Sequence, residues 1–144
     1  MQFTFNAGAP PLVAMPGPAP LAKIAVLRPQ ALGSEAEMAI SRFLAAKLYG
    51  KQHFGKLFFD YPLRSGLEFL LLSAGAVMWY ARARTVARGD SQTTLEDVLE
   101  AIRCVDFCYG YSAAPALILE RARVRMLSHG DTAIRLVLEQ YRGG

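Results

Sequence analysis

The sequence predicts an all-α fold: a single-domain bundle of about five helices around one central hydrophobic helix, with a Pro-rich N-terminal lead. Three observations predict it. Residues 65–81, SGLEFLLLSAGAVMWYA, are apolar on nearly every side, with Glu68 as the only charge. A helix that is apolar all round belongs in a core or a membrane, not on a surface. The segments flanking this run carry apolar residues at helical spacing. They also open on residues suited to capping a helix, and several close on glycine.

The central run must first be assigned to core or membrane. Its uninterrupted apolar part, residues 69–81, is about 13 residues long, against the ~20 needed to cross a bilayer. Ser65 and Glu68 have the spacing of a capping box. Arg82, Arg84 and Arg88 follow the run and suit the negative end of a helix dipole, and Gly89 suits its stop. We therefore read a buried helix and no membrane span. Ala74, Gly75 and Ala76 form a thin waist that lets another helix approach closely, in either setting.

A chain of 144 residues is large enough for one domain with a real core, and a hydrophobic content of 53% sets it apart from disordered chains. The formal net charge of +4 permits acidic partners without requiring one. Two cysteines, Cys104 and Cys108, make no disulfide framework, so a cytoplasmic location is the expectation. The N-terminus lacks the charged start and apolar run of a signal peptide.

Residues 1–33 are expected to form a lead or strap, and residues 34–144 the helical domain. Residues 1–20 contain no charge and hold Pro10, Pro11, Pro16, Pro18 and Pro20, which exclude a helix or a central strand. Phe3 and Phe5 could anchor the lead as a short edge strand, and residues 21–27 could dock as an extended strap. The first helix is expected to start at Ser34, in a capping box with Glu37, and to stop at Gly50. Ala36, Ile40, Phe43, Leu44 and Leu48 form its stripe, and Lys47 serves its dipole. Pro62 suits the first turn of the central helix.

The third helix is expected to begin at Thr93 or Thr94, with Glu96 and Asp97 in capping positions. Leu95, Val98, Leu99, Ile102, Val105 and Tyr109 make the clearest amphipathic stripe, Glu100 and Arg103 a surface pair, and Gly110 the end. Ser112 and Pro115 open a fourth helix with Ile118, Leu119, Ala122 and Met126 inward and a basic ridge at Arg121 and Arg125. Asp131 caps a last helix with Ile134, Val137, Leu138 and Tyr141 inward.

No motif for a metal, a nucleotide or a nucleophile stands out. The connection KQHFGKLFFDY, residues 51–61, packs His53, Phe54, Phe58, Phe59 and Tyr61 between Lys51 and Lys56. It reads as a pocket wall or a base-stacking surface, or more simply as an aromatic plug at one end of the bundle. The plug is the favoured reading, because stacking surfaces come with a recognisable module. No nucleic-acid partner is expected.

Cys104 and Cys108 share a helix face and, with His53 and His129, offer zinc ligand types, but without the usual knuckle spacing. Buried free thiols are the simpler reading, and no metal or cofactor is expected. Glu68, Asp97 and Asp106 are candidate acids; the first two have capping roles and Asp106 is expected to face water. Ser128, His129 and Asp131 are adjacent in a turn, which is not triad geometry. No catalytic residue is assigned.

The stretch TLEDVLEAI, residues 94–102, echoes the closing helix of histone folds, but the later helices fit that fold poorly. Taken together, SRFLAAKLYGKQHFG, GLEFLLLSAGAVMWYARAR and TLEDVLEAIRCVDFCYGYS resemble the C-terminal helical half of flagellin lysine N-methylase-like proteins, over about residues 21–138. That family carries a cysteine cluster in its N-terminal half. The cluster has no counterpart here, so the resemblance carries no catalytic residue onto this chain. It implies either a helical half alone or a relative without the cluster.

The leading functional expectation is a non-catalytic accessory or protein-interaction domain that forms a homo-oligomer or binds a partner protein. Two others stand beside it. One is an enzyme half of the methylase-like group with a pocket at residues 53–61. The other is a small hydrophobic-ligand carrier with a cavity against Trp79 and Tyr80. Their candidate ligand-binding residues are His53, Phe54, Phe58, Tyr61, Trp79 and Tyr80.

Overall fold

A computed structural model describes residues 32–50, 52, 55, 61–110, 122, 125, 126 and 132–141. Their architecture is all-α. Four helices appear in order: α1 (Ser34–Tyr49), α2 (Leu63–Arg88), α3 (Leu95–Gly110) and α4 (Thr132–Tyr141). The 26-residue α2 is the central element and packs against each of the other three. Among the described residues, no helix is long and apolar enough to cross a membrane. The proposed lead and strap, residues 1–31, lie outside the described residues.

α2 buries Phe69, Leu70, Ala74, Val77, Met78, Ala81 and Ala83. The main core joins its Val77, Met78 and Ala81 to Ala36 and Ile40 of α1 and to Val98, Ala101 and Val105 of α3. Leu32, Phe43, Leu44, Tyr80 and Ile102 close around it, half-buried. Burying each aliphatic side chain contributes about 1.5–3 kcal/mol, so this three-helix junction is the main apolar source of stability. The small-residue waist of α2 is used as its composition suggests. Gly75 faces α4, and a Cβ built on it would lie 3.8 Å from Val137 Cγ2.

Both serine-led capping boxes are corrected. α1 has Gly33 in its cap position with no side-chain cap, and the Glu37 N–H bonds to the Gly33 carbonyl at 3.1 Å. Ser34 is already helical, so its hydroxyl cannot serve the first turn from outside it. α2 begins two residues earlier than Ser65, behind Pro62, whose carbonyl accepts from the Gly66 N–H at 2.9 Å. Glu68 instead pairs with Arg64 one turn before it, at 2.9 Å.

The expected stops hold. Gly50 closes α1 and Gly89 closes α2. Gly89 takes φ +81°, and the N–H groups of Gly89 and Asp90 return to the Val86 and Thr85 carbonyls at 3.0 and 3.1 Å. This double return satisfies carbonyls that the helix end would otherwise leave open.

The stripes of the first and third expected helices largely hold: Ala36, Ile40, Val98 and Val105 are buried, and Phe43, Leu44, Leu95 and Ile102 are half-buried. On α3 the buried arc runs through Asp97, Val98, Ala101 and Val105, whereas Leu99 is exposed. The arc is turned toward Asp97, whose carboxylate occupies a place that the apolar pattern assigns to leucine. Leu48, Ile134 and Leu138 are exposed where burial was expected. Ala122, Arg125 and Met126 are helical, but Ala122 and Met126 are exposed, which corrects their inward assignment. Glu100 and Arg103 form the expected surface pair at 3.3 Å.

Two glycine substitutions should move stability in opposite directions. Gly89→Ala places a side chain at a left-handed φ and should cost about 1–2 kcal/mol. Gly75→Ala adds a methyl at ordinary contact distance inside a helix and should gain up to about 1 kcal/mol from helix propensity. Urea denaturation midpoints check both. Equal losses at the two sites would show that the α2–α4 approach is tighter than the geometry states.

Candidate functional site

The most elaborate polar arrangement lies at the corner where α2 turns into α3. Its centre is Asp97, which is fully buried. The sequence brings Asp97 there through a capping box: the Asp97 N–H bonds to Thr94 Oγ1 at 3.3 Å, and the Thr94 N–H bonds to Asp97 Oδ2 at 3.0 Å. The Thr94 hydroxyl also donates to Oδ2 at 2.9 Å. So far this is the expected cap, with aspartate in place of glutamate.

The last turn of α2 supplies the rest. Arg88 grips the carboxylate with both terminal nitrogens, Nη1 to Oδ1 and Nη2 to Oδ2, the latter at 2.7 Å. Its Nε binds Asp90 Oδ2 at 2.9 Å. Arg84 Nε, buried without a hydrogen-bond acceptor of its own, sits 3.7 Å from Asp97 Oδ1. The Thr85 hydroxyl is within reach of the Ala81 carbonyl, Thr93 Oγ1 and Asp97 Oδ2, at 3.1, 3.1 and 3.3 Å.

Burial pushes the Asp97 carboxyl up, but the Arg88 guanidinium and the Thr94 donors outweigh it and hold the carboxyl below its ordinary value. The Asp97 and Asp90 bonds in turn push Arg88 up. The same partners give Asp97 a structural role, tying the start of α3 to the end of α2.

An open cleft of about 600 Å3 lies over this corner, lined by Arg84, Arg88, Asp90, Thr94, Leu95, Glu96 and Leu99. Arg88 faces the carboxylates of Asp90 and Asp97, Arg84 faces that of Asp97, and Glu96 also lines the cleft. The cations are engaged from within, and the local balance is one negative charge, which disfavours an anionic ligand. The arrangement clamps a helix corner.

A second polar tie lies at the other end of α3. Lys47, placed by its sequence position at the end of α1, is buried and pairs with Asp106 of α3. Its Nζ also donates to Gln52 Oε1 at 2.7 Å and lies 5.8 Å from the Phe43 ring centroid. Lys47 does sit in the last turn of α1, as expected, but the expectation that Asp106 faces water is corrected, since it pairs with this buried amine.

The sequence-derived ligand candidates are described only in part. His53, Phe54 and Phe58 lie outside the described residues. Tyr61 is buried edge-on against Phe69, with ring centroids 6.2 Å apart and planes at 65°, and Leu72 packs against the pair. The Tyr61 carbonyl accepts from the Gly55 N–H at 2.9 Å. Trp79 and Tyr80 lie near the other end of α2, about 24 Å of helix from Leu63 at 1.5 Å per residue. Trp79 is 37% exposed and Tyr80 is half-buried against the main core.

Cys104 is half-buried and Cys108, one turn along α3, is exposed; burial and, after it, the Cys104 thiol raise the Cys108 thiol and the Tyr80 phenol. Among the described residues, no group of three or more metal-ligating side chains converges. His129 lies outside the described residues, as does the turn that holds it.

Sequence reasoning missed the buried charges. The signal available was the crowding of Arg84, Arg88, Asp90 and Asp97 around one short turn. No family profile, curated protein or solved structure matches the chain.

Asp97→Asn should destabilise the fold by about 3 kcal/mol at neutral pH, at the low end for breaking a buried pair because Arg88 keeps access to water. The native carboxyl lies below its unfolded value, so its contribution is complete above about pH 4 and is lost as pH falls through the native value. The gap between wild type and variant should therefore shrink on acidification. A gap that stays constant down to pH 2 would show that Asp97 contributes through shape and not charge.

Proposed function

We propose that this chain is a non-catalytic helical accessory or protein-interaction domain that assembles with itself or with a partner chain. The observation that carries the reading is the amount of large apolar surface left open. Met38, Tyr49, Leu63, Phe107 and Met126 are each more than half exposed, and Trp79, Leu99, Ile134 and Leu138 are also exposed. Scattered apolar residues are normal on a monomer, but large side chains open on all four helices and at Met126 are more than a chain of this size needs to leave in water. The polar groups of the α2–α3 corner are turned on one another, which supports a structural use of that corner over a reaction.

A bundle of five helices around α2 and a cytoplasmic setting belong to the same reading. The helical pattern from residue 112 onward and the free state of both cysteines support them.

Native mass spectrometry of the full chain tests the proposal. The expected result is a species at a whole-number multiple of 15.8 kDa with no retained small molecule. A bare monomer removes self-assembly and leaves only a separate partner chain. A monomer that retains a lipid or a methyl donor overturns the reading in favour of a carrier or an enzyme half.

A further inference from the structure

We propose that Cys104 and Cys108 form a two-thiolate site for a soft, thiophilic d10 cation, of which Cu(I) is the probe. The two residues are one turn apart on α3, and side chains at that spacing lie on one face about 5–6 Å apart at Cβ. Cys108 is exposed and gives the ion an entry, while Cys104 is half-buried and gives it shelter from water. Burial and, after it, the Cys104 thiol raise both the Cys108 thiol and the Tyr80 phenol of α2.

The number and type of donors select the ion. Zinc takes four ligands in closed sites, and no third histidine, cysteine or carboxylate joins the pair among the described residues. Soft thiolates favour Cu(I), whose filled d shell is content with two sulfurs. Magnesium and calcium need several oxygen donors, and among the described residues no group of three or more metal-ligating side chains converges. The tyrosine adds a polar contact on the buried side. Its hydroxyl can donate to a thiolate sulfur and so offset the negative charge that a bis-thiolate complex carries.

Binding is a proton exchange. One Cu(I) and two thiols give one bis-thiolate cuprate with a single negative charge and two protons released to water; no electron is transferred. Affinity should accordingly fall as pH is lowered. The site is independent of the assembly reading, since it needs only α3 and the side of α2 that carries Tyr80.

Anaerobic titration of the full chain with Cu(I), in competition with a chromophoric Cu(I) chelator such as bicinchoninate, tests the site. One equivalent should leave the chelator for wild type. Cys104→Ser and Cys108→Ser should each weaken retention at least tenfold, and Tyr80→Phe should weaken it less. Cys108→Ser changes an exposed side chain, so an unchanged helical circular dichroism spectrum confirms that its loss of copper is not unfolding. If both serine variants hold copper like wild type, the ion sits elsewhere and the proposal fails. It fails equally if wild type leaves all the copper on the chelator.

Discussion

The buried carboxylate of Asp97 is the constraint on which the rest of the described structure depends. Removing a charge from water is costly, and an interior position is tolerated only when partners replace the lost hydration. Here the replacement comes from two elements at once. Thr94 belongs to the start of α3, whereas Arg84, Thr85 and Arg88 belong to the last turn of α2. The carboxylate is satisfied only when the two helices meet at this corner. The apolar junction of Val77, Ala81, Val98 and Ala101 lies just below, and apolar packing by itself is indifferent to small slips. The fork of Arg88 is not, because two parallel hydrogen bonds define both distance and direction.

Lys47 and Asp106 apply the same logic at the far end of α3. One polar tie fastens α3 to α2 at its beginning, and the other fastens it to α1 near its end. Between them the contacts are apolar. Such pairs add little net stability against a hydrophobic substitute, but breaking one partner is costly. Their value here lies in register. Three helices whose facing residues are mainly alanine and valine could settle in several offsets, and two charged pins, at Asp97 and Asp106 of α3, leave one. The aromatic contact of Tyr61 and Phe69 lies at the opposite end of α2 from the Asp97 corner, outside this pinned junction.

The helical class, the central role of α2, and the glycine stops at 50 and 89 were all legible, because apolar period and chain terminators are local properties. The edges of the stripes were not. On α3 the apolar residues alone point toward Leu99, and only knowing that Asp97 is buried turns the arc. Burial of a charge depends on residues that arrive from another helix, so no window along one segment contains it. The same holds for Lys47, whose position at a helix end has a sufficient surface explanation until Asp106 is placed opposite. The serine caps failed for a different reason. Ser34 and Ser65 have the right neighbours at the right spacing, but the chain enters each helix earlier, behind Gly33 and Pro62. For the aromatic candidates, the structure separates Tyr61 from Trp79 by most of the length of α2, a distance that a list of conspicuous residues does not convey.

The α2–α3 corner also bears on how the chain finds its fold. Arg88 and Asp97 are nine residues apart, so closing the loop between them sacrifices little chain entropy. Lys47 and Asp106 are fifty-nine residues apart and must wait for a much larger closure. The corner is thus the low-contact-order part of the molecule, the part whose native contacts are available to a chain that has not yet organised its ends. During synthesis it is complete once residue 97 has cleared the ribosome, before α4 exists. A helical hairpin locked at its turn can then present one finished face, on which α1 and α4 have only to dock.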